Sequence, residues 1–282
     1  MIEYYFLFAL GIIYLIVASY EDLKKTEVAN WITYSFVAFA LAYRGIYSVL
    51  NGDYRFFVLG ALGFFVFYLI GNLLYYAKAF GGADVKLLRA IGVTLPYQSY
   101  FGLIFTLLGF IFLLFFVAFF YTLIYSVFIV YFNKRRFVNE FYIRFKKYKG
   151  WMAVLALIGV LFLIFSIVYK YGMIGGAVFL ITAVVPMMYV YLKAVDSCMV
   201  VLVSPGKLME GDWILEDINV GSKKIKNTVH GLTSQDIDLL KKTNKDIYVK
   251  RGIPFVPAIL ISFAIMVFFF AVLKQNFLFF PL

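Results

Sequence analysis

The feature that most constrains this chain is a series of long, uninterrupted apolar runs. Of its 282 residues, 64% are hydrophobic, 21% are aromatic and only 15% are charged, and the mean hydropathy is +0.92. A water-soluble domain of this length does not have such a composition. Apolar runs of about 20 residues predict transmembrane helices, whereas a membrane β-barrel alternates apolar and polar residues in segments of about ten. We therefore predict an all-α polytopic membrane protein.

Charged residues set the limits and the direction of the predicted spans. About eight spans of membrane length are predicted, at 3–20, 31–50, 56–77, 82–96, 99–131, 151–169, 172–192 and 254–273. The segment 82–96 is only moderately apolar, so an interfacial helix is its alternative. If it crosses, the basic loop 132–150 and most of the 26 Lys and Arg lie on one side, which the positive-inside rule makes cytoplasmic. Both termini then lie outside. The first run lacks a basic n-region and a cleavage site, which predicts a retained span.

Composition also predicts how the chain is divided. The predicted parts are a membrane-embedded core, a basic interfacial loop, an additional transmembrane hairpin, a small cytoplasmic domain, and a C-terminal helix with its tail, at 1–131, 132–150, 151–192, 193–253 and 254–282. Only 193–253 has mixed acids and bases, and within it Ser234–Lys242 is predicted to be a short helix. We therefore expect a small cytoplasmic segment before the last membrane helix.

Two aspartates follow apolar sequence or small residues at places where a carboxylate would meet the membrane boundary. Asp22 comes directly after the first run, and Asp84 lies in Phe80-Gly81-Gly82-Ala83-Asp84-Val85-Lys86-Leu87-Leu88. An ionised group at this depth costs several kcal/mol, so it usually has a partner or a function. Two carboxylates in one partly dehydrated site share a proton. The ionised one can take a proton from water while the protonated one donates to a carbonyl oxygen.

Each of these residues also has a plainer explanation. Asp22 could be a solvated charge paired with Lys24 or Lys25, and Asp84 could cap the N-terminus of a helix. Gly81 and Gly82 fit a close backbone approach, or a helix-start turn.

The rest of the sequence narrows the chemistry. The chain has one cysteine, Cys198, and one histidine, His230. This argues against an internal disulfide, a tetracysteine zinc site, a histidine-rich metal centre and a Ser/His/Asp triad. We predict a packed, inert Cys198, an ordinary surface His230, and neither a metal nor a cofactor.

Two stretches resemble a known family. Glu21-Asp22-Leu23-Lys24-Lys25-Thr26-Glu27-Val28-Ala29-Asn30-Trp31 resembles the first aspartate motif of the type IV prepilin and archaeal preflagellin peptidases, and 80–88 resembles their GxGD motif with its following Val-Lys-Leu-Leu. The resemblance covers residues 1 to about 130, and Gly252–Ala258 is similar to the C-terminal end of the archaeal members. It implies a membrane-embedded aspartic endopeptidase with Asp22 and Asp84 as catalytic residues. It also implies motif residues that support the site or contact substrate: Gly81, Gly82, Ala83, Lys86 and Asn30. Ala83 stands where the family has its second glycine.

The resemblance implies the partners as well. They are precursors with class III signal peptides, pilin-like or archaellin-like, in which a short hydrophilic leader precedes an apolar helix. The protein would lie in the lipid bilayer of the cell membrane, with its active site facing the cytoplasm. The basic loop 133–149 carries interleaved aromatic residues that could suggest RNA binding. An interfacial amphipathic helix on an anionic leaflet explains the same pattern, so we predict no nucleic-acid partner.

Other classes compete with this interpretation. A presenilin-type protease normally has its first aspartate inside a span after a tyrosine, whereas Asp22 ends a span in Tyr20-Glu21-Asp22. A bifunctional bacterial-type enzyme that also methylates would carry a cysteine-rich loop between its first spans. A transporter or channel that uses the two carboxylates for cation or proton coupling is the non-enzyme alternative.

Three basic residues lie in or near the predicted spans. Arg44 in the second span could bind a substrate charge, but we predict that it pairs with Asp53 or reaches the outer interface. Lys86 and Arg89 could act on the acidic pair, or, as we favour, face anionic headgroups.

Overall fold

The structure is a computed structural model that describes residues 3–77, 79–220, 223–228, 231–243 and 245–271. His230 and the tail from residue 272 lie outside the described residues. The helices in the described part are α1 (Glu3–Lys25), α2 (Asn30–Asn51), α3 (Arg55–Tyr76), α4 (Gly82–Thr94), α5 (Tyr100–Phe132), α6 (Lys134–Val168), α7 (Gly172–Cys198), α8 (Ser234–Lys241) and α9 (Val256–Ala271). The strands are β1 (Val200–Val203), β2 (Trp213–Ile214), β3 (Ile218–Val220), β4 (Lys223–Ile225) and β5 (Ile247–Lys250).

The helices confirm a polytopic membrane protein, but not every predicted span. Five of the described helices are long and apolar enough to cross a membrane, namely α1, α3, α5, α6 and α7, and α9 is a shorter apolar helix. Each predicted span coincides with a helix. However, the 13 residues of α4 reach only about 20 Å, against a hydrocarbon core of about 30 Å. The count of eight is therefore confirmed only in part.

The basic loop 132–150 is helical, as predicted for 133–149, but it is not separated from the span that follows it. Its residues from Lys134 onward are the first half of α6, which continues without a break to Val168. Arg144 explains part of this, because it pairs with Glu140 one turn earlier at 3.0 Å and also donates to Ser197 of α7. Aromatic contacts such as Phe137 with Tyr191 add packing against α7. The basic segment is thus packed helix, joined to the span that follows it.

The described residues fall into two compact units. The first lies within residues 1–123, 228–230 and 252–282, and the second within 124–227 and 231–251. In the first unit, α4 packs on α1, α2 and α3, while α9 packs on α1. Most of α4 is buried, from Asp84 to Thr94 with few exceptions. A short helix that is apolar on nearly every face belongs inside a bundle.

Arg44 is the most notable buried side chain in the first unit. It has 0% exposure. Its Nε donates to the carbonyl of Val93 and its Nη2 to that of Leu95, each at 2.6 Å, while Nη1 donates to Phe56 at 2.6 Å. The carbonyls at a helix C-terminus have no partner within their own helix, so Arg44 caps α4. Pairing with Asp53 and reaching the interface were therefore both wrong predictions.

Glycines let α3 and α4 approach at backbone distance. A Cβ atom added to Gly63 would lie 2.2 Å from the carbonyl oxygen of Gly92, and one added to Gly92 would lie 2.4 Å from that of Gly63. Neither contact leaves room for a methyl group, because both neighbours are backbone atoms.

The second unit contains α6, α7 and a small mixed fold. Its three-stranded antiparallel sheet has the order β1-β5-β2, and β3 and β4 form a separate antiparallel pair. One face of α8 is buried through Ile237 and Leu240 in a core with Val203 and Val249. The predicted helix Ser234–Lys242 is confirmed to within one residue. The strands were not predicted, because each has only two to four residues.

The Gly63–Gly92 contact generates a stability prediction. Gly63→Ala should lower the free energy of unfolding by about 1–3 kcal/mol, because the helices must separate to admit the methyl group. Gly45→Ala is the matched control, since its Cβ would meet only Phe57 at an ordinary 3.7 Å. Thermal unfolding in detergent measures both. Equal melting temperatures for the two variants would contradict the close contact.

Arg44 generates a second prediction. Arg44→Lys keeps the positive charge, but a lysine ammonium group lacks the planar set of donors with which the guanidinium reaches three separate carbonyls. Some of these buried carbonyls would therefore lose their hydrogen-bond donors. Each lost partner costs about 1–3 kcal/mol, and we expect a total loss of roughly 2–5 kcal/mol. The exposed Arg55 provides the control substitution Arg55→Lys. Chemical unfolding of both variants would refute the capping role if their midpoints coincide.

Candidate active site

Asp22 lies in the last turn of α1. The helix continues to Lys25 and ends where Thr26 adopts a left-handed φ of 54°. Asp22 is 5% exposed, and its Oδ2 accepts the main-chain N–H of Val256 at 2.9 Å. The explanation of Asp22 as a solvated loop charge is therefore wrong. Lys24 instead lies over the ring of Tyr20.

Asp84 lies in the first turn of α4. Its Oδ2 accepts the N–H of Gly81 at 2.9 Å, and the residue is 8% exposed. The plainer prediction of helix capping is thus correct for one carboxylate oxygen. A negative group in the first turn also complements the positive end of the helix. Capping accounts for the position of Asp84 in α4, but not for its proximity to a second buried carboxylate.

The bundle brings the two carboxylates together. α1 packs on α4, and Asp22 lies close enough to Asp84 to act on it electrostatically. Two negative charges in one buried place repel strongly because little water screens them. The arrangement therefore favours one ionised and one protonated group, which is an acid and a base within one buried site.

The glycines around Asp84 have different roles. Gly81 precedes α4 with an extended backbone (φ −74°, ψ 164°), and Gly82 is the first helical residue. A Cβ added to Gly81 would lie 3.1 Å from Oδ2 of Asp84, whereas one added to Gly82 would meet Tyr75 at 3.8 Å. Ala83 lies within the first turn and does not have a positive φ. Its methyl group is therefore compatible with the turn.

The connection between α1 and α2 is held by two polar contacts. Oε2 of Glu21 accepts the N–H of Ala29 at 2.9 Å. Asn30, the first residue of α2, accepts a hydrogen bond through Oδ1 from Nζ of Lys86 on α4. These contacts fix the start of α2 beside the two aspartates.

Arg89 has partners within the bundle as well. It donates to Oδ1 of Asn72 at 2.7 Å, and its guanidinium lies 4.4 Å from the ring centre of Tyr68. The structure therefore gives both Lys86 and Arg89 protein partners rather than leaving them only for headgroups.

The sequence analysis did not predict that the start of α9 contributes a main-chain donor to the site. The main-chain N–H of Val256 reaches Asp22 from 234 positions along the chain, and Phe255 contacts the ring of Phe80 at a centroid distance of 4.8 Å. The signal was the pair Pro254 and Pro257, since proline is common where a helix begins.

Metal ligands do not cluster in the described part of the chain. No group of three or more His, Cys, Asp or Glu lies together there. Cys198 is buried at the end of α7.

Comparison with known proteins identifies the part of the chain that holds both aspartates. Residues 9–127 match the model of the type IV leader peptidase family. Over this segment the chain is similar to that family. The match includes α4, and most of α1 and α5, but not α6 to α9.

Three archaeal relatives agree with this assignment. A preflagellin peptidase of Methanocaldococcus jannaschii is 33% identical over 89 residues, 32% of this chain and 38% of the relative. A preflagellin peptidase of Methanococcus voltae is 28% identical over 93 residues, 33% of this chain and 40% of the relative. The prepilin peptidase EppA of Methanothermobacter thermautotrophicus is 28% identical over 154 residues, 50% of this chain and 40% of the relative. The chain thus spans about two fifths of the length of each. No solved structure matches it significantly.

Proposed function

We propose that the protein is a membrane-embedded aspartic endopeptidase that removes the N-terminal leader of pilin-like or archaellin-like precursors. The observation that carries the proposal is the pair of buried carboxylates, Asp22 and Asp84, placed together by α1 and α4. The match of residues 9–127 to the type IV leader peptidase family supports it, because this segment includes both aspartates. The names of the relatives support the substrate class.

The pair can hydrolyse a peptide bond without a nucleophilic side chain. The ionised carboxylate takes a proton from a water molecule, whose oxygen attacks the scissile carbonyl carbon. The protonated carboxylate donates to the carbonyl oxygen, which gives a neutral tetrahedral diol. Collapse of the diol breaks the C–N bond as the leaving nitrogen receives a proton. Burial favours these transfers because few water molecules compete for the protons.

The location of the site suits a substrate that is part leader and part membrane helix. Lys24 and Lys25 end α1 next to Asp22, and α6 begins with basic residues. Positive charge at span ends favours the cytoplasmic side, so the site opens towards the cytoplasm. On this topology α2, α4 and α9 complete the eight membrane helices. The scissile bond would lie where the leader meets the apolar helix.

The remaining segments have proposed roles around this core. Residues 132–150 contact the anionic leaflet, 151–192 add a hairpin, 193–253 form a small cytoplasmic domain, and 254–282 include the last membrane helix. Asn30, Gly82, Ala83 and Lys86 support the site through the start of α2 and the first turns of α4. The bilayer and the precursor proteins are the expected partners.

Removal of either carboxylate tests the proposal. Asp22→Asn and Asp84→Asn keep the shape of the side chain but abolish its proton transfer, so each should lower leader cleavage by about 10²–10⁴-fold. Cleavage is measured on pilin-like and archaellin-like precursors in membranes that contain equal amounts of each variant.

Glu21→Gln is the matched control, because its amide oxygen can still accept the N–H of Ala29. It should retain most of the cleavage. Full cleavage by either aspartate variant would overturn the proposal, and ion flux in proteoliposomes would then test the transporter alternative.

The glycines offer a finer test of the position of Asp84. Gly81→Ala puts a methyl group 3.1 Å from its Oδ2, so the carboxylate must shift and cleavage should fall roughly tenfold. Gly82→Ala places its methyl group in ordinary contact with Tyr75 and should change cleavage little. If Gly82→Ala is the more damaging variant, Asp84 does not act from the position described.

A further inference from the structure

The N–H groups in the first turn of α9 bond partly within the helix and partly to a carboxylate of another helix. The N–H groups of Ala258 and Ile259 bond to the carbonyl of Phe255, at 3.0 and 3.4 Å. Pro257 has no N–H. The N–H of Val256, the first residue of α9, donates to Oδ2 of Asp22. The N–H of Phe255 approaches the same carboxylate.

This contact is buried and its geometry is fixed by packing. Val256 has 0% exposure. The ring of Phe263 occupies the space beside Gly11, where an added Cβ would lie 2.6 Å from two ring atoms, so α9 approaches α1 closely. Hydrogen bonds from N–H donors to a carboxylate stabilise its ionised form, and so does the positive end of a helix.

The charged residues near Asp22 either repel its negative charge or have other partners. The contact with α9 is therefore the main interaction that stabilises the ionised form of Asp22. Asp84 on α4 interacts electrostatically with Asp22, so two negative charges there repel each other. Glu21 is turned towards Ala29, and Lys86 on α4 is turned towards Asn30 on α2. Lys24 lies over Tyr20. No titratable residue occurs in α9 between Val256 and Ala271.

The two aspartates are therefore not equivalent. Asp22 receives N–H donors from a separate helix, whereas Asp84 receives the N–H of Gly81 three positions earlier in its own helix start. Asp22 lies near the C-terminal end of α1, where the helix dipole disfavours a negative charge. The N–H donors at the start of α9 act against that effect.

We propose that the first turn of α9 holds Asp22 as the ionised general base and so leaves the shared proton on Asp84, the general acid. Val256 is a positioning residue that acts through its main-chain N–H. The inference rests on the proposed peptidase function and assigns roles within it.

The assignment gives a balanced sequence of steps. Asp22 removes a proton from water as the C–O bond forms, and Asp84 protonates the carbonyl oxygen. Asp22 then passes its proton to the leaving nitrogen as the C–N bond breaks. A hydroxyl proton of the diol returns to Asp84 as the new carboxyl group forms, which restores the starting state.

The test removes one main-chain N–H donor to Asp22. Val256→Pro deletes the donor at a position where proline suits the start of a helix. Val256→Ala removes side-chain packing but keeps the N–H. We measure leader cleavage by detergent-solubilised full-length protein from pH 4 to pH 9, as kcat/KM on one precursor.

We expect the acidic limb of the profile for Val256→Pro to move to higher pH by about one unit, because the ionised base has lost a hydrogen bond. For Val256→Ala the limb should stay at the wild-type pH even where the rate is lower through lost packing. A purely structural role of Val256 would lower the rate of both variants without moving the limb.

A second pair protects the test against misfolding. If Val256→Pro does not fold, Phe255→Pro and Phe255→Ala are compared in the same way, since they differ in the neighbouring N–H. If the Pro and Ala variants of the pair that folds have their acidic limbs at the same pH, the inference is overturned. Cleavage by the wild-type protein would still support the proposed function in that case. Absence of cleavage by the wild-type protein on every precursor overturns both.

Discussion

The guanidinium of Arg44 fixes the position of α4, and the arrangement of the site depends on that helix. A helix of 13 residues surrounded by apolar neighbours ends with carbonyl groups that neither water nor its own turns can satisfy. Arg44 supplies donors to two of these carbonyls and to Phe56 on α3. Its charge is offset by aromatic faces, including that of Phe56 at 4.5 Å. Without these donors, burial of the C-terminal end of α4 would cost several kcal/mol.

At the N-terminal end of α4 the main-chain N–H groups lack acceptors, and a carboxylate supplies one. Here free N–H groups need acceptors, and Asp84 provides one of them. The same physical requirement recurs at α9, whose first N–H is accepted by Asp22. Two helix starts thus meet two acids at one end of the bundle. The carboxylates of the proposed reaction are also the groups that complete these two helix starts, so stability and the proposed chemistry use the same atoms there.

The sequence allowed prediction of the acids, but not of what surrounds them. Asp22 and Asp84 could be found because a carboxylate beside an apolar run is expensive and therefore conspicuous. Arg44 was placed wrongly because its acceptors are main-chain carbonyls 49 and 51 positions away, which have no side-chain signature. The contact from Val256 was missed for the same reason. The amphipathic helix predicted at 133–149 is present, but the sequence analysis separated it from the span at 151 because it is charged. Contacts with α7 accompany one continuous helix instead.

The extent of the family match has a chemical consequence. Residues 9–127 contain both carboxylates, the glycines and Arg44, so this segment holds every side chain that the proposed reaction uses. It does not contain the donor that distinguishes one carboxylate from the other, because that donor belongs to the start of α9. In a symmetric pair of acids, either carboxylate could hold the proton, depending on how water happens to solvate each one. A fixed N–H donor from a buried helix start always favours the ionised form of the same carboxylate. For this effect the position of the backbone matters more than the identity of the side chain. A helix with an entirely apolar sequence can therefore determine the direction of proton transfer.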